Sequence, residues 1–163
     1  MRQRATLMLC SIVALAAACG GDAVAPGDDD AVRPGATTTA TGVSASIDGT
    51  PWRSLYAESE RNGSGGTHLH FAGWDSTRVI SVGVSGVTGP GTYTVQNSGV
   101  SFAHIMEFRR HWTSVNAGGS GTVRVTVLTA TRVAGTFSFI APPDPGTPGG
   151  PRRVTDGQFD IAF

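Results

Sequence analysis

The chain has 163 residues, with twelve basic residues against twelve acidic ones and only two cysteines. All twelve bases are arginine and none is lysine, and no basic field suited to nucleic acid results. Glycine is frequent, leucine is scarce, and Val, Thr and Phe recur in short runs between Gly-rich breaks, which is a β composition with no convincing amphipathic helix.

Met1-Arg2-Gln3-Arg4 forms a positive n-region, and Ala5 to Ala18 is an apolar run of about fourteen residues ending in small side chains. A transmembrane helix needs roughly twenty apolar residues, and this run breaks at Gly20-Gly21 instead. With that n-region and apolar run, Leu15-Ala16-Ala17-Ala18-Cys19 resembles the lipobox of bacterial lipoprotein signals. It departs at Ala16, where the family favours Leu or Val and where Leu15 stands one step back.

The resemblance implies removal of residues 1–18, a diacylglyceryl thioether on Cys19 and acylation of the new amino terminus. Two or more acyl chains hold a protein firmly on a bilayer where one is marginal. Gly20, in place of Asp, implies sorting to the outer membrane. An ordinary secretory signal with Cys19 as a chance thiol is the competing reading. Loss of Arg2 and Arg4 leaves ten arginines against twelve acids, a formal charge of minus two. Cys10 leaves with the signal and Cys19 carries lipid, so no disulfide is available and the domain must stand on its core.

From Gly20 to Thr41 the chain has no periodicity, carries Asp28-Asp29-Asp30 and is broken by Pro26 and Pro34. It reads as a solvated tether, which as a coil spans about 25 Å on average. Three consecutive carboxylates lack the spaced ligands of a calcium loop. Residues 42–163 then form one domain, long enough to bury close to two thirds of its unfolded surface.

Val43, Ala45 and Ile47 alternate with polar partners up to Asp48-Gly49, a tight hairpin turn, with a return arm from Trp52 to about Glu58. After the loop at residues 61–66, Thr67 to Trp74 is a strand with Leu69 and Phe71 on one face and His68 and His70 on the other. Val79 to Val84 reads as a central strand covered on both faces. Thr92 to Gln96 follows, then Val100 to Phe108, where Val100, Phe102, His104, Met106 and Phe108 share a face.

His111 to Val115 is a further short strand. Val123, Val125 and Val127 face inward on the next, and after a reversal at Thr129 to Arg132, Val133, Gly135, Phe137 and Phe139 continue the inner face. The proline-rich run from Pro142 to Pro151 forbids a ladder. At the end Phe159, Ile161 and Phe163 share a face while Val154 has the opposite parity, which predicts a register-resetting bulge or turn at Asp156-Gly157.

About nine or ten short strands with a turn signal about every ten residues predict an all-β, antiparallel β-sandwich. A closed up-and-down, lipocalin-like barrel is the alternative, disfavoured because the strands are unequal. The sequence also carries Ala45-Ser46-Ile47-Asp48-Gly49 with Trp52, Gly91-Thr92-Tyr93, Gly135-Thr136-Phe137-Ser138-Phe139 and Val154-Thr155-Asp156-Gly157-Gln158-Phe159. In that order they resemble bacterial cell-surface lipoproteins bearing an uncharacterised β-rich domain of unknown function. The resemblance covers about Ser44 to Phe163 and implies a lipid-anchored extracytoplasmic domain with no established activity.

Two constellations stand out chemically. Glu58, Glu60, His68 and His70 can converge on zinc or a related divalent ion if Glu60 pairs with His68 and Glu58 with His70 across adjacent strands. A solvated face with cross-strand charge pairs is the favoured reading. Arg109, Arg110, His111 and Trp112, with Trp74, can offer guanidinium forks and indole faces to an anionic or glycan ligand, though a solvent-facing loop with one anchoring aromatic is the favoured reading. For Trp52, Trp74, Trp112, Tyr56 and Tyr93 core packing is the default, and for His104 a buried, hydrogen-bonded imidazole.

No G-x-S-x-G elbow, phosphate loop with lysine, H-E-x-x-H or usable thiol is present, so the expectation is no enzyme. The sequence reads as an envelope lipoprotein held by its membrane anchor, without nucleic acid or cofactor, that works as a binding or structural module with an envelope protein or glycan partner. A small hydrophobic-ligand carrier and a metal-dependent envelope enzyme are the alternatives.

Overall fold

The computed structural model describes residues 41–63, 67–96 and 100–163. The signal, Cys19 and the tether up to Ala40 lie outside the described residues. Among the described residues there is no helix. The strands are β1 (Gly42–Ile47), β2 (Thr50–Arg53), β3 (Tyr56–Asn62), β4 (His68–Trp74), β5 (Arg78–Val84), β6 (Gly91–Val95), β7 (Phe102–Glu107), β8 (Arg110–Thr113), β9 (Ser120–Leu128), β10 (Arg132–Ala141) and β11 (Arg152–Ala162).

They form two sheets, six strands in the order β2-β1-β11-β10-β9-β6 and five in the order β3-β4-β5-β7-β8. Neither closes on itself. The architecture is therefore the expected β-sandwich, and the barrel alternative is not formed. All of it lies within one compact unit, Ala36–Phe163.

Asp48 and Gly49 take positive φ (51° and 83°) in the β1–β2 turn, the geometry whose twist suits a two-residue hairpin. The return arm expected from Trp52 to Glu58 is two strands in different sheets. Ser54 donates its N–H to Val43 O and Leu55 donates to Trp74 O, so the chain changes sheet across two residues.

Further along this seam, the Trp52 indole donates to Asp75 Oδ2 in the β4–β5 turn (2.7 Å). Arg152 then joins Glu107, at the end of β7, to Asp48 at the far end of β1. β1 and β2 thus lie along the strand ends of the five-stranded sheet, and the two sheets cross steeply.

The core forms where the sheets meet. Phe71 of the five-stranded sheet is stacked on Phe159 with centroids 4.2 Å apart, and Phe137 lies 5.6 Å from Phe71. Val82, Ile80 and Ile105 from one sheet and Val123, Val133 and Ile161 from the other surround them.

Irregularities decide which side chains reach that core. The expected bulge is present: Asp156 has φ 53°, and the β10–β11 register shifts between Phe137 and Phe139. Val154 before it and Gly157, Phe159 and Ile161 after it are consequently all buried. Phe163, expected on the same face, lies past the last ladder pair and is 40 % exposed.

A second shift, between Ala134 and Gly135 against β9, turns Val127 from its expected inward position to a half-buried one, and Leu128 packs against the core instead. Gly135 is required there, since a Cβ would lie 2.0 Å from the Arg124 carbonyl oxygen.

β7 is inverted relative to the sequence pattern. Ala103 and Ile105 are buried, while Phe102, His104 and Met106 face outward. Phe102 is accommodated on the outside because Gly83 opposite it has no side chain; a Cβ there would meet the Phe102 ring at 2.6 Å. β5, expected to be covered on both faces, is covered on its outer side only in part: Gly83 is buried beneath Phe102, while Val79 and Ser81 are half-buried.

The proline-rich run does make one bridge, Trp112↔Pro143. Pro142 needs only to accept, from Thr113 N–H, and Asp144 supplies the donor to His111 O, so the missing proline amides cost nothing.

At the β7–β8 turn Phe108 has φ 53° with its side chain 86 % exposed, a conformation that disfavours a non-glycine residue by roughly 1–2 kcal/mol. The core geometry predicts that Phe71→Ala destabilises the domain by about 3–5 kcal/mol in denaturant unfolding. A loss within 1 kcal/mol would place the centre of the core elsewhere.

Candidate functional site

All four histidines of the chain lie on or beside the outer face of the five-stranded sheet. Register sets them in rows across the strands. One row is Glu60↔His70, His70↔Gly83 and Gly83↔Phe102; the next is Glu58↔Ala72, Ala72↔Ser81, Ser81↔His104 and His104↔Thr113. A third is Tyr56↔Trp74, Trp74↔Val79, Val79↔Met106 and Met106↔His111. Side chains in neighbouring rows stand within reach of one another, which lets the rings form a continuous chain.

Phe102 is its centre. Its ring centroid lies 6.4 Å from His68, 5.9 Å from His70 and 4.8 Å, edge to face, from His104. Each flanking imidazole is held by a hydroxyl, His68 Nδ1 at 3.1 Å from Ser85 Oγ and His70 Nε2 at 2.9 Å from Ser81 Oγ.

Beyond His104 the chain becomes a polar relay. His104 Nδ1 is 2.6 Å from His111 Nε2, and His111 Nδ1 is 2.5 Å from Asp144 Oδ2. Asn116 donates to the other carboxylate oxygen, Asp144 Oδ1, at 2.9 Å. Ionised Asp144 can only accept, so His111 Nδ1 carries its hydrogen. When His111 is neutral its Nε2 accepts from His104 Nδ1–H, and His104 Nε2 is left with its lone pair and no hydrogen-bond partner among the described residues.

Electrostatics support that assignment. Burial, then the neighbouring His111, pushes the His104 pKa down to about 4, so its ring is neutral at physiological pH. His70 is lowered by burial against the opposing pull of Glu60 and Glu58. Asp144 is held below the usual carboxylate range first by its bond from His111.

Glu58, Glu60, His68 and His70 share the outer face, as the alternation requires. Their register is two residues away from the expected one: Glu60 opposes His70, Glu58 opposes Ala72, and His68 opposes Asn62. Only Glu60 and His70 approach, at 3.8 Å, and among the described residues no group of three or more His, Cys, Asp or Glu is arranged to hold a metal ion.

The second set is dispersed. Trp112, for which core packing is the default and a ligand contact the alternative, is 1 % exposed in the core, donates its indole N–H to Gly150 O (3.2 Å) and is covered by the Arg152 guanidinium 4.6 Å from its ring. Trp74 stacks on Tyr56 at the outer face, with centroids 6.2 Å apart, and Arg109 and Arg110 are exposed at the β7–β8 turn. Sequence reasoning missed Phe102, Ser81, Ser85, Asn116 and Asp144. The only local hint was the Phe102-x-His104 alternation, since Asp144 lies in a run read solely as a ladder breaker.

The family model described as Domain of unknown function (DUF6252) matches residues 39–159. No curated protein and no solved structure matches the chain.

The low His104 pKa sets a pH dependence. The unfolded imidazole takes its proton near pH 6.5 and the folded one only near 4, so between those values the unfolded chain binds more protons and stability falls as pH falls. His104→Asn is expected to flatten the decline in Tm from pH 6.5 to 4, leaving the parts that His70 and, toward pH 4, the lowered carboxyls of Asp48, Asp75 and Asp144 contribute with the same sign. An unchanged slope would remove His104 as the responsible group.

Proposed function

The chain belongs to the DUF6252 family, and on that premise we propose that it is a lipid-anchored module of the bacterial cell envelope that binds a glycan on the outer face of its five-stranded sheet. The observation that carries the binding reading is the Phe102 row. An aromatic ring lies on a glycine-floored sheet between imidazoles already fixed by hydroxyls. Sugars are recognised by such pairings, with C–H groups against a ring and hydroxyls against fixed donors and acceptors. His104 Nε2, Ser81 Oγ and the Glu58 and Glu60 carboxylates supply the polar partners.

The outer face of the six-stranded sheet has a different chemistry, with Thr94, Thr122, Thr136 and Ser138 beside Arg124 and Gln158 and, among the described residues of its strands, no exposed aromatic ring. Binding is favoured over catalysis because, of the two hydroxyls bonded to imidazoles on this face, Ser85 already donates its hydroxyl to Val100 O and its N–H to Ser101 Oγ, while Ser81 sits mid-strand in β5. Its neighbouring amides serve ladders on both sides, so none is left to hold a developing oxyanion. The anchor reading rests on the lipobox at Cys19, and the outer membrane on Gly20.

Two outcomes are expected. Envelope polysaccharide quenches Trp74 fluorescence saturably, and Phe102→Ala weakens that binding by about three- to tenfold; the buried indoles of Trp52 and Trp112 serve as the silent background. No quenching at any concentration would end the glycan reading. Separately, Cys19→Ser moves the protein from the membrane to the soluble fraction, and retention in the membrane would end the anchor reading.

A further inference from the structure

One end of the five-stranded sheet carries apolar side chains that nothing among the described residues covers. There β3 begins, β4 passes to β5, and β7 turns into β8, with the edge strand β2 running alongside. Leu55 and Tyr56 stand at one corner, 69 % and 65 % exposed, and Phe108 at the other. Three strand spacings separate β3 from β7, so the corners lie about 14 Å apart on one rim. A small ligand cannot touch both, whereas a planar surface meets both at once.

The charge of the rim is positive on balance. Asp75 is occupied by Trp52, Thr77 and Arg78, Glu107 by Arg78 and Arg152, and Asp48 by Arg152. Arg53, Arg109 and Arg110 are exposed with no side-chain partner among the described residues. The nearest uncommitted carboxylate, Glu58, is one side-chain pair further along β3. Three free cations therefore flank the apolar corners, while Asp48 and Glu107 are ion-paired from within and Asp75, held only by neutral donors that include the Arg78 backbone N–H, is among the described residues the one acid of the rim left without a cation.

The chain also enters the domain at this rim. A Cβ on Gly42, the first residue of β1, would lie 3.0 Å from Ser54 Oγ, immediately before Leu55. A tether starting from a lipidated Cys19 pulls this corner toward the bilayer. Phe108, exposed in the turn at the same rim, holds a backbone conformation that a glycine would adopt without strain, so the turn geometry does not call for its ring.

We infer that this rim docks on an anionic lipid bilayer, with Leu55 and Phe108 in the boundary between headgroups and acyl chains and Arg53, Arg109 and Arg110 on the lipid phosphates. The inference rests on the envelope-anchor reading for the presence of a membrane, and it adds the orientation. The domain stands on its rim, and the histidine face remains open to the side.

The test uses the chain from Gly20 to Phe163, which keeps the compact unit and lacks both Cys19 and the apolar leader, so neither can bind lipid. Co-sedimentation is measured with vesicles of phosphatidylcholine alone and of phosphatidylcholine with equimolar phosphatidylglycerol. Binding to the anionic vesicles is expected to be at least about tenfold tighter and to fall with salt. Arg109→Glu/Arg110→Glu is expected to abolish that preference. Phe108→Gly is expected to weaken binding by about tenfold with Tm unchanged or raised, which separates docking from folding.

No binding, equal binding to both vesicle types, or undiminished binding by Phe108→Gly would overturn the inference. So would a dimer in solution that Phe108→Gly dissolves, since a second copy would then cover the rim. Failure of the anchor reading shows itself separately, in the membrane fractionation of Cys19→Ser.

Discussion

The stack of Phe71 on Phe159, with Phe137 beside it, is the contact on which the sandwich depends. No disulfide joins the sheets, and Phe71 belongs to one while Phe137 and Phe159 belong to the other. Burial of these rings holds two steeply crossed sheets face to face, and everything on the outer surfaces takes its position from that crossing. The seam along β1 and β2 follows from it: Ser54, between β2 and β3, accepts from Val43 N–H of β1, and Trp52 and Arg152 of the six-stranded sheet bond to Asp75 and Glu107 at strand ends of the five-stranded one.

A fold that relies on alternation alone is sensitive to every irregularity. The bulge at Asp156 permits Val154 and Phe159 to be buried on one strand although their parities differ. The shift at Gly135 exchanges Val127 for Leu128. On β7 the smaller pair, Ala103 and Ile105, is the one that faces the core, and the larger Phe102 rests outside on the floor left by Gly83. That exchange creates the candidate site: with Phe102 inside, no ring would join His68 and His70 to His104.

The relay from His104 through His111 to Asp144 ties this face to the proline-rich loop. Because the loop docks by accepting through Pro142 O and donating through Asp144 N, the Asp144 side chain comes to rest on His111, and Asn116 holds its other oxygen. The tautomer of His104, and so the atom it offers outward, is decided by a carboxylate forty residues away in the chain on the scale set by the loop. Rim and face are complementary in this arrangement, one charged and apolar at the strand ends, the other polar and aromatic across the strands.

By itself the sequence determined the all-β class, the positive-φ turn at Asp48-Gly49, the reset at Asp156-Gly157, and the shared face of Glu58, Glu60, His68 and His70. These are consequences of a period of two and of local backbone chemistry, and they need no partner strand to be read. Tertiary structure alone decided the two-residue register that sets Glu60 rather than Glu58 opposite His70, the inversion of β7, the burial of Trp112 under Arg152, and the arrival of Asp144 at His111. Alternation specifies which residues share a face but not which face is covered or which neighbour stands opposite. Those are settled by the packing of Phe71 on Phe159 and by loop closure between segments distant in the chain.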